Sequence, residues 1–451
     1  MGKKNQIDMT TGSIIGKQIR FIIPLICTGM LQLLYNAVDV IVVGRFAGTT
    51  ALSAVGSTGS LTNLIINVFI GLSVGINVVT AMYYGKKDDD NMQKTIHTAI
   101  SLGIIGGLIL AVFSFLAAPG LLRLMSTPDD VIDQAILYMR IIFIGMPFNL
   151  VYNFSAAILR AVGDTKRPLR YLGISGIVNV ILNLIFVIIF HMDVAGVALA
   201  TIIAQCMSMI LITRCLMKSE GALQLSIKKL CIHKEQAIRI IKIGVPSGIQ
   251  SSCFSLSNVL LQSSINGFGS IAMAGNAASS SLEGFLYVTT NSVQQSAITF
   301  VGQNRGAKQH DRVRKNLFYA SGLVVLIALT VATFFNVFNT ELIGLYTSDV
   351  DAIAIGIQRL GMYSTFYFFF GLMDVTSGML RGMGYSMGPM VISLLGVCGF
   401  RIVWIFGVFA AFPSLQVLYY SYPISWILTW SILIIYYRIV IRKELCIIGD
   451  K

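Results

Sequence analysis

The chain alternates long apolar runs with short polar ones. Twelve apolar runs cover 18–43, 52–83, 94–118, 131–162, 169–190 and 194–217, then 236–266, 271–303, 312–338, 350–383, 388–411 and 415–441. Each is about 20 residues or longer, the length an α-helix needs to cross a bilayer. The longest predict tilt or projection beyond the lipid. A transmembrane barrel would instead show short segments alternating every second residue. The pattern therefore predicts an all-α membrane protein with twelve transmembrane helices.

Charge tests that layout. Of 33 Lys and Arg, 28 fall at or beside the N-terminus, every second loop and the C-terminus. The opposite loops carry only Arg45 and Arg123, while Arg140, Arg359 and Arg401 fall inside spans. By the positive-inside rule this predicts cytoplasmic termini in a multi-pass plasma membrane protein, and it agrees with an even number of spans.

The halves resemble each other. "ILRAVGDTKRP" at 158–168 echoes "MLRGMGYSMGP" at 379–389, aligning Arg160 with Arg381, Gly163 with Gly384 and Pro168 with Pro389, each 221 apart. Pro24 and Asn36 align with Pro246 and Asn258, each 222 apart. Six spans per half is an even number, so both halves enter the membrane from the same side. The repeat is then parallel, two six-helix bundles related by a pseudo-two-fold axis along the membrane normal. The expected division is an N-terminal bundle over 1–217, a cytoplasmic linker over 218–235 and a C-terminal bundle over 236–451.

Composition sharpens the class. The chain of 451 residues is 55% hydrophobic and 12% charged, half the charge of a soluble domain. The net charge of +13 sits in short loops, so it reads as topology and no nucleic acid is expected as a partner. The first apolar run reads as a retained span, because no small-residue cleavage site follows it. Seven scattered cysteines with no CxxC predict neither a metal site nor a disulfide framework. No HExxH occurs among the four histidines, and no cofactor is expected.

Several segments are more specific. "IPLICTGMLQLLYNAVDVIVVGRFAGTTALSAVG", "AAILRAVGDTKRP", "GVALATIIAQ", "FVGQNRGA" and "GMLRGMG" together resemble the multidrug and toxic compound extrusion (MATE) family over nearly the whole chain. The resemblance implies an antiporter, acting as a monomer, in which an inward Na⁺ or H⁺ gradient drives export of small cationic amphiphiles. Competing readings are a lipid or polysaccharide-precursor flippase of related architecture, and an intramembrane aspartyl enzyme using Asp39 and Asp374.

The charges inside the spans carry the chemistry. Asp39 interrupts "YNAVDVIVVGRFAG", where a charge costs at least ~2.5–3.5 kcal/mol at mid-bilayer. Either it is neutralised structurally or it binds a cation. Asn179 and Asn183 share one helical face at i and i+4, and Thr201 offers a hydroxyl. With Asp39 they form an all-oxygen set suited to Na⁺ or a shared proton, and they match positions that bind or surround the coupling ion in the resembling family. Asn153 would extend the set. Relatives often carry Asp at the position of Asn183, so this site holds one formal charge. Asp374 matches an acidic position of the family's tenth span. Asp374 and Glu283 are candidate contacts for cationic substrate or, equally, helix–helix polar contacts. Arg401 needs an acid or water, and Asp374 is a candidate partner. Arg140 and Arg359 lie near span ends, where snorkelling explains them. The prolines Pro24, Pro147, Pro246 and Pro423 are candidate bends.

Overall fold

The computed structural model describes residues 6–125 and 128–449, which are helical with no strand. The helices are α1 (Ile14–Val42), α2 (Gly48–Lys86), α3 (Asp89–Leu124), α4 (Asp129–Ile144), α5 (Met146–Ala161), α6 (Lys166–Leu184) and α7 (Asp193–Met217) in the first half. The second half holds α8 (Lys234–Asn266), α9 (Ser270–Gly306), α10 (His310–Val337), α11 (Asn339–Gly344), α12 (Val350–Gly382), α13 (Met387–Ser393), α14 (Phe400–Trp404) and α15 (Leu415–Gly449). α4 and α5 are one span bent by 45° at Gly145, two residues before Pro147. Pro24, Pro246 and Pro423 instead lie within continuous helices. Four π-helical turns widen the spans: Val43–Ala47 after α1, Ile185–Ile189 after α6, Leu394–Gly399 joining α13 to α14, and Ile405–Phe409 after α14. Joined at these breaks, and with the short α11 set aside, the helices make the twelve expected spans.

Eight of these spans are long and apolar enough to cross a membrane by themselves, and the bent α4–α5 pair makes nine. α8, α9 and α12 are as long, at 33, 37 and 33 residues, but carry more polar side chains. Apolar side chains cover the outside: Leu116, Phe318 and Phe406 are 71%, 78% and 78% exposed. Such a surface is stable only against lipid, so this is a multi-pass membrane protein.

The repeat is visible in the backbone. Three pairs of left-handed residues lie 221 apart: Gly48 and Gly269 (φ 88° and 93°), Lys87 and Lys308 (both 58°), and Gly163 and Gly384 (83° and 88°). α5 ends with Gly163 N–H on the Arg160 carbonyl and Asp164 N–H on the Leu159 carbonyl, both 2.9 Å. α12 ends the same way, with Gly384 on Arg381 and Tyr385 on Leu380. These are paired 6→1 and 5→2 bonds around a left-handed residue, which reverse the chain tightly and satisfy the last carbonyls. At Gly163 a Cβ would lie 2.3 Å from the Ile7 carbonyl oxygen, so a second constraint selects glycine there.

The chain divides into two compact units, Met1–Thr11 with Ile23–Gly248, and Gly12–Ile22 with Ile249–Lys451. The boundary falls inside α1 and inside α8, so the first turns of α1 pack with the second unit and the first turns of α8 with the first. Within the first unit, "GLSVG" at 71–75 of α2 meets "GVPSG" at 244–248 of α8. A Cβ at Gly71 would lie 2.2 Å from Gly248 N, and one at Gly75 would lie 2.3 Å from the Ile240 carbonyl oxygen. Two small-xxx-small stripes thus bring the backbones into contact. The first unit's core gathers Leu110, Leu122, Met139, Phe143 and Leu150 from α3, α4 and α5. The linker docks on this unit too. Leu223 and Leu225 are buried, Ser226 N–H donates to His97 Nε2 at 3.2 Å, and His233 N–H donates to Thr98 Oγ1 at 3.0 Å. Within the second unit α12 is the central helix: Gly378 and Gly382 lie against Gln294, Ile298 and Val301 of α9.

Candidate functional site: one carboxylate among amides

The first unit brings four of the five proposed coupling residues together. Asp39 sits in the last turn of α1, one turn before the π segment Val43–Ala47. Asn179 and Asn183 occupy consecutive turns of α6, just before its own π segment, and Thr201 lies on α7. Asn183 Nδ2 donates to Asp39 Oδ1 at 2.5 Å, and Thr201 Oγ1 donates to Oδ2 at 3.5 Å. Asn179 joins both, accepting from Asn183 Nδ2 and donating to Thr201 Oγ1, each at 3.3 Å. Asn179 and Asn183 are buried and Asp39 is partly buried.

Next to these residues in the chain, Val42, Val43, Val187, Val194 and Val197 form an apolar cluster, onto which Tyr138 of α4 packs. An apolar wall beside a single carboxylate strengthens any interaction that carboxylate makes. Asn183 Oδ1 is buried without a hydrogen-bond partner. An orphaned acceptor beside a carboxylate fits an incoming cation, since it costs free energy until something donates to it or is ligated by it. π turns of this kind recur at functional sites because they leave local backbone groups less tightly paired. Asn153 does not join the group. Its Nδ2 donates to the Asn149 carbonyl and Oδ1, both 2.9 Å away on its own helix.

The second-half acids have different surroundings. Glu283 of α9 is doubly bonded by Arg359 of α12: Nε to Oε1 at 2.7 Å and Nη2 to Oε2 at 3.0 Å. Arg359 Nη1 donates to Asn276 Oδ1 at 2.8 Å, which also accepts from Tyr419 Oη at 3.0 Å. Ser279 Oγ donates to Glu283 Oε1 at 3.0 Å. Snorkelling is therefore the wrong account of Arg359. It is 5% exposed and held inward by a carboxylate. Arg140 does lie near a surface, over the Phe115 ring at 4.8 Å and on the Phe115 carbonyl at 3.3 Å. Asp374 accepts from Gln294 Nε2 through Oδ1, and its Oδ2 is buried without a partner.

Arg401 does not pair with Asp374. Its Nη1 donates to Asn258 Oδ1 at 3.1 Å, its Nε donates to Ser425 Oγ at 3.3 Å, and its guanidinium lies 4.4 Å over the Tyr422 ring. Asn276, Gln294, Asn258 and Ser425 escaped the sequence reading. A signal existed for Asn258, which the repeat aligns with Asn36, and for the Glu283–Arg359 pair, since two opposite charges inside spans of one half call for each other. No cluster of three or more His, Cys, Asp or Glu stands close enough to hold a metal among the described residues. The six described cysteines are free, and the Cys446 side chain lies outside the described residues.

Two structurally repeated six-span halves with charges inside the membrane define a polytopic membrane protein of the transporter class. The chain belongs to the MatE family, whose profile matches it twice, at residues 24–185 and 246–406, in register with the repeat. It is 26% identical over 433 residues to the probable multidrug resistance protein YoeA of Bacillus subtilis, covering 94% of this chain and 93% of that one. It is 24% identical over 388 residues to the probable multidrug resistance protein NorM of Thermotoga maritima, covering 84% and 82%. Its fold matches that of a multidrug resistance MATE family transporter solved in an outward-facing conformation, with TM-score 0.90 and 20% identity, covering 98% and 99% of the two chains. These relatives are transporters, which points away from an enzyme.

Proposed function

We propose that this protein is a cation-coupled antiporter that exports cationic amphiphilic compounds by alternating access. It would act as a monomer in the plasma membrane with both termini cytoplasmic. The observation that carries the reading is Asp39, one carboxylate held by Asn183 and Thr201 in an apolar wall, with Asn183 Oδ1 unsatisfied beside it. Family membership supports the transport class, and the likeness to probable multidrug resistance proteins supports drug-like substrates.

Ionised and empty, Asp39 is costly in the membrane; bound to Na⁺ or H⁺ it is neutral. An ion drives a conformational change only through a difference in its affinity for the two states. A lone carboxylate whose charge is cancelled by its ligand supplies that difference. Na⁺ would draw on Asp39 and on the oxygens of Asn179, Asn183 and Thr201, while H⁺ needs the carboxylate alone. Asp374, with Oδ2 unpaired, would make the cation contact with substrate. Glu283 is spent on Arg359 and contributes little to it.

The test is drug efflux from vesicles under independently imposed Na⁺ and pH gradients. Asp39→Asn should insert and fold yet lose gradient-driven export. Asn179→Ala and Asn183→Ala should weaken coupling less, since each removes one neutral donor. Wild-type, gradient-responsive efflux by Asp39→Asn would move the coupling site elsewhere.

A further inference from the structure

The second unit holds a buried cation that no carboxylate among the described residues answers. Arg401 is 4% exposed, and each of its partners is neutral: the Asn258 amide, the Ser425 hydroxyl and the Tyr422 ring. The nearby acid is unavailable. Glu283 is bonded through both oxygens by Arg359, whose guanidinium faces the same Tyr422 ring at 5.7 Å. That closed pair is neutral as a unit, so the group around Tyr422 carries the net charge of Arg401. An arginine presents five donors, and hydrogen bonds to Asn258 and Ser425 occupy two of them. Its Nη2 makes no hydrogen bond to a described residue and, unlike Nε of Arg160 and Arg381, is not sealed off from its surroundings. A buried guanidinium left with free donors and no counter-charge is expensive to keep unless something supplies the charge.

The repeat makes the placement pointed. At the offset of 221 to 222 residues, Tyr422 corresponds to Thr201, Asn258 to Asn36, and Arg401 to Asn179 within one residue. In each unit the polar group is flanked by π turns, here Leu394–Gly399 and Ile405–Phe409. Where the first unit gathers a carboxylate with amides and a hydroxyl, the second gathers a guanidinium with an amide, a hydroxyl and an aromatic face. The second unit thus carries a positive charge where the first carries the neutral Asn179, and Asp39 aligns with Leu260 or Leu261.

We propose that Arg401, Asn258 and Ser425, beneath the Tyr422 ring, form an oxyanion site that takes the carboxylate or phosphate headgroup of an amphiphile. The planar guanidinium matches such a group in charge and in donor geometry. The inference rests on the transporter reading only in calling the amphiphile a substrate. Its test is equilibrium binding without a gradient, so failure of ion coupling leaves it intact.

The experiment uses the full chain in phosphatidylcholine nanodiscs with two tritiated probes of equal chain length, dodecanoate and dodecyltrimethylammonium. Arg401→Gln should weaken dodecanoate about 10- to 100-fold, the range for one charge-assisted contact, and leave the cationic probe within about twofold. Arg401→Lys should recover part of the loss. Asn258→Asp keeps the arginine but sets a carboxylate against it, and should abolish dodecanoate binding even where Arg401→Gln fails to fold. Native mass spectrometry from discs containing phosphatidylglycerol separates the sources. A phospholipid retained by the wild type and lost in Asn258→Asp assigns the site to a lipid phosphate, and dodecanoate binding with none retained assigns it to a free amphiphile. Dodecanoate affinity and lipid retention both unchanged in folded Arg401→Gln and Asn258→Asp, or equal loss of both probes, overturns the proposal.

Discussion

Glu283 and Arg359 offer a test that separates structural charge from substrate-binding charge. Arg359 spends Nε and Nη2 on Glu283 at 2.7 and 3.0 Å and Nη1 on Asn276 at 2.8 Å. The two side chains are 6% and 9% exposed, so water does not screen them. Glu283→Gln replaces one acceptor by an NH₂ that faces a guanidinium N–H and leaves Arg359 buried without a counter-charge. Orphaning one partner of such a pair costs about 3–5 kcal/mol. Arg359→Gln should cost a similar amount by stranding the carboxylate. Removing both charges, in Glu283→Gln/Arg359→Gln, strands neither, so the double variant should be more stable than the sum of the singles by about 2 kcal/mol or more. The assay is thermal unfolding of the purified protein in one detergent, with binding of a cationic and a neutral probe at a temperature where all variants are folded. If the singles add, or if Glu283→Gln keeps wild-type stability while losing only the cationic probe, the pair is not structural and Glu283 is a substrate contact after all.

Other expectations follow from single positions. Gly163→Ala should destabilise by at least ~1 kcal/mol, through the left-handed backbone and the clash with Ile7, whereas Lys87→Gly, at φ 58° in the same kind of turn, should stabilise slightly; thermal melts of the two variants check the opposite signs. His97→Ala should free the docked linker by removing the acceptor for Ser226 N–H, seen as faster protease cleavage within 218–233 with the helices intact; unchanged cleavage would mean that Leu223 and Leu225 hold the segment alone. The exposed Cys231 should react with an impermeant thiol reagent only from the cytoplasmic face; labelling from outside would invert the proposed topology.

How much of this was legible in the residues depends on the range of the interaction. Spans and repeat are local and periodic: apolar runs of helix-crossing length, and motifs such as "ILRAVGD" and "MLRGMGY" returning at one offset, are visible without tertiary structure. The Asp39 group was nearly as accessible. Helical periodicity put Asn179 and Asn183 on one face, and an isolated intramembrane carboxylate demands oxygen and nitrogen partners nearby. Asn153 was misplaced because facing a neighbouring helix or its own preceding turn is decided by rotation, which composition does not encode.

What the sequence by itself determined was the class, the twelve spans, the repeat and the family. It did so because a bilayer punishes exposed polar backbone so heavily that only long apolar helices survive in it. Only the tertiary structure decided which charges are spent and which are free. Glu283 meets Arg359 76 residues away, and Arg401 meets Asn258 143 residues away, through the packing of separate helices. Each pairing depends on ångström-scale rotation and depth of helices whose apolar patterns tolerate many settings. The same letters, Glu, Asp and Arg inside spans, therefore read alike in the chain and act differently in the fold: Glu283 closed by a guanidinium, Asp374 with an open oxygen, and Arg401 with donors still to fill.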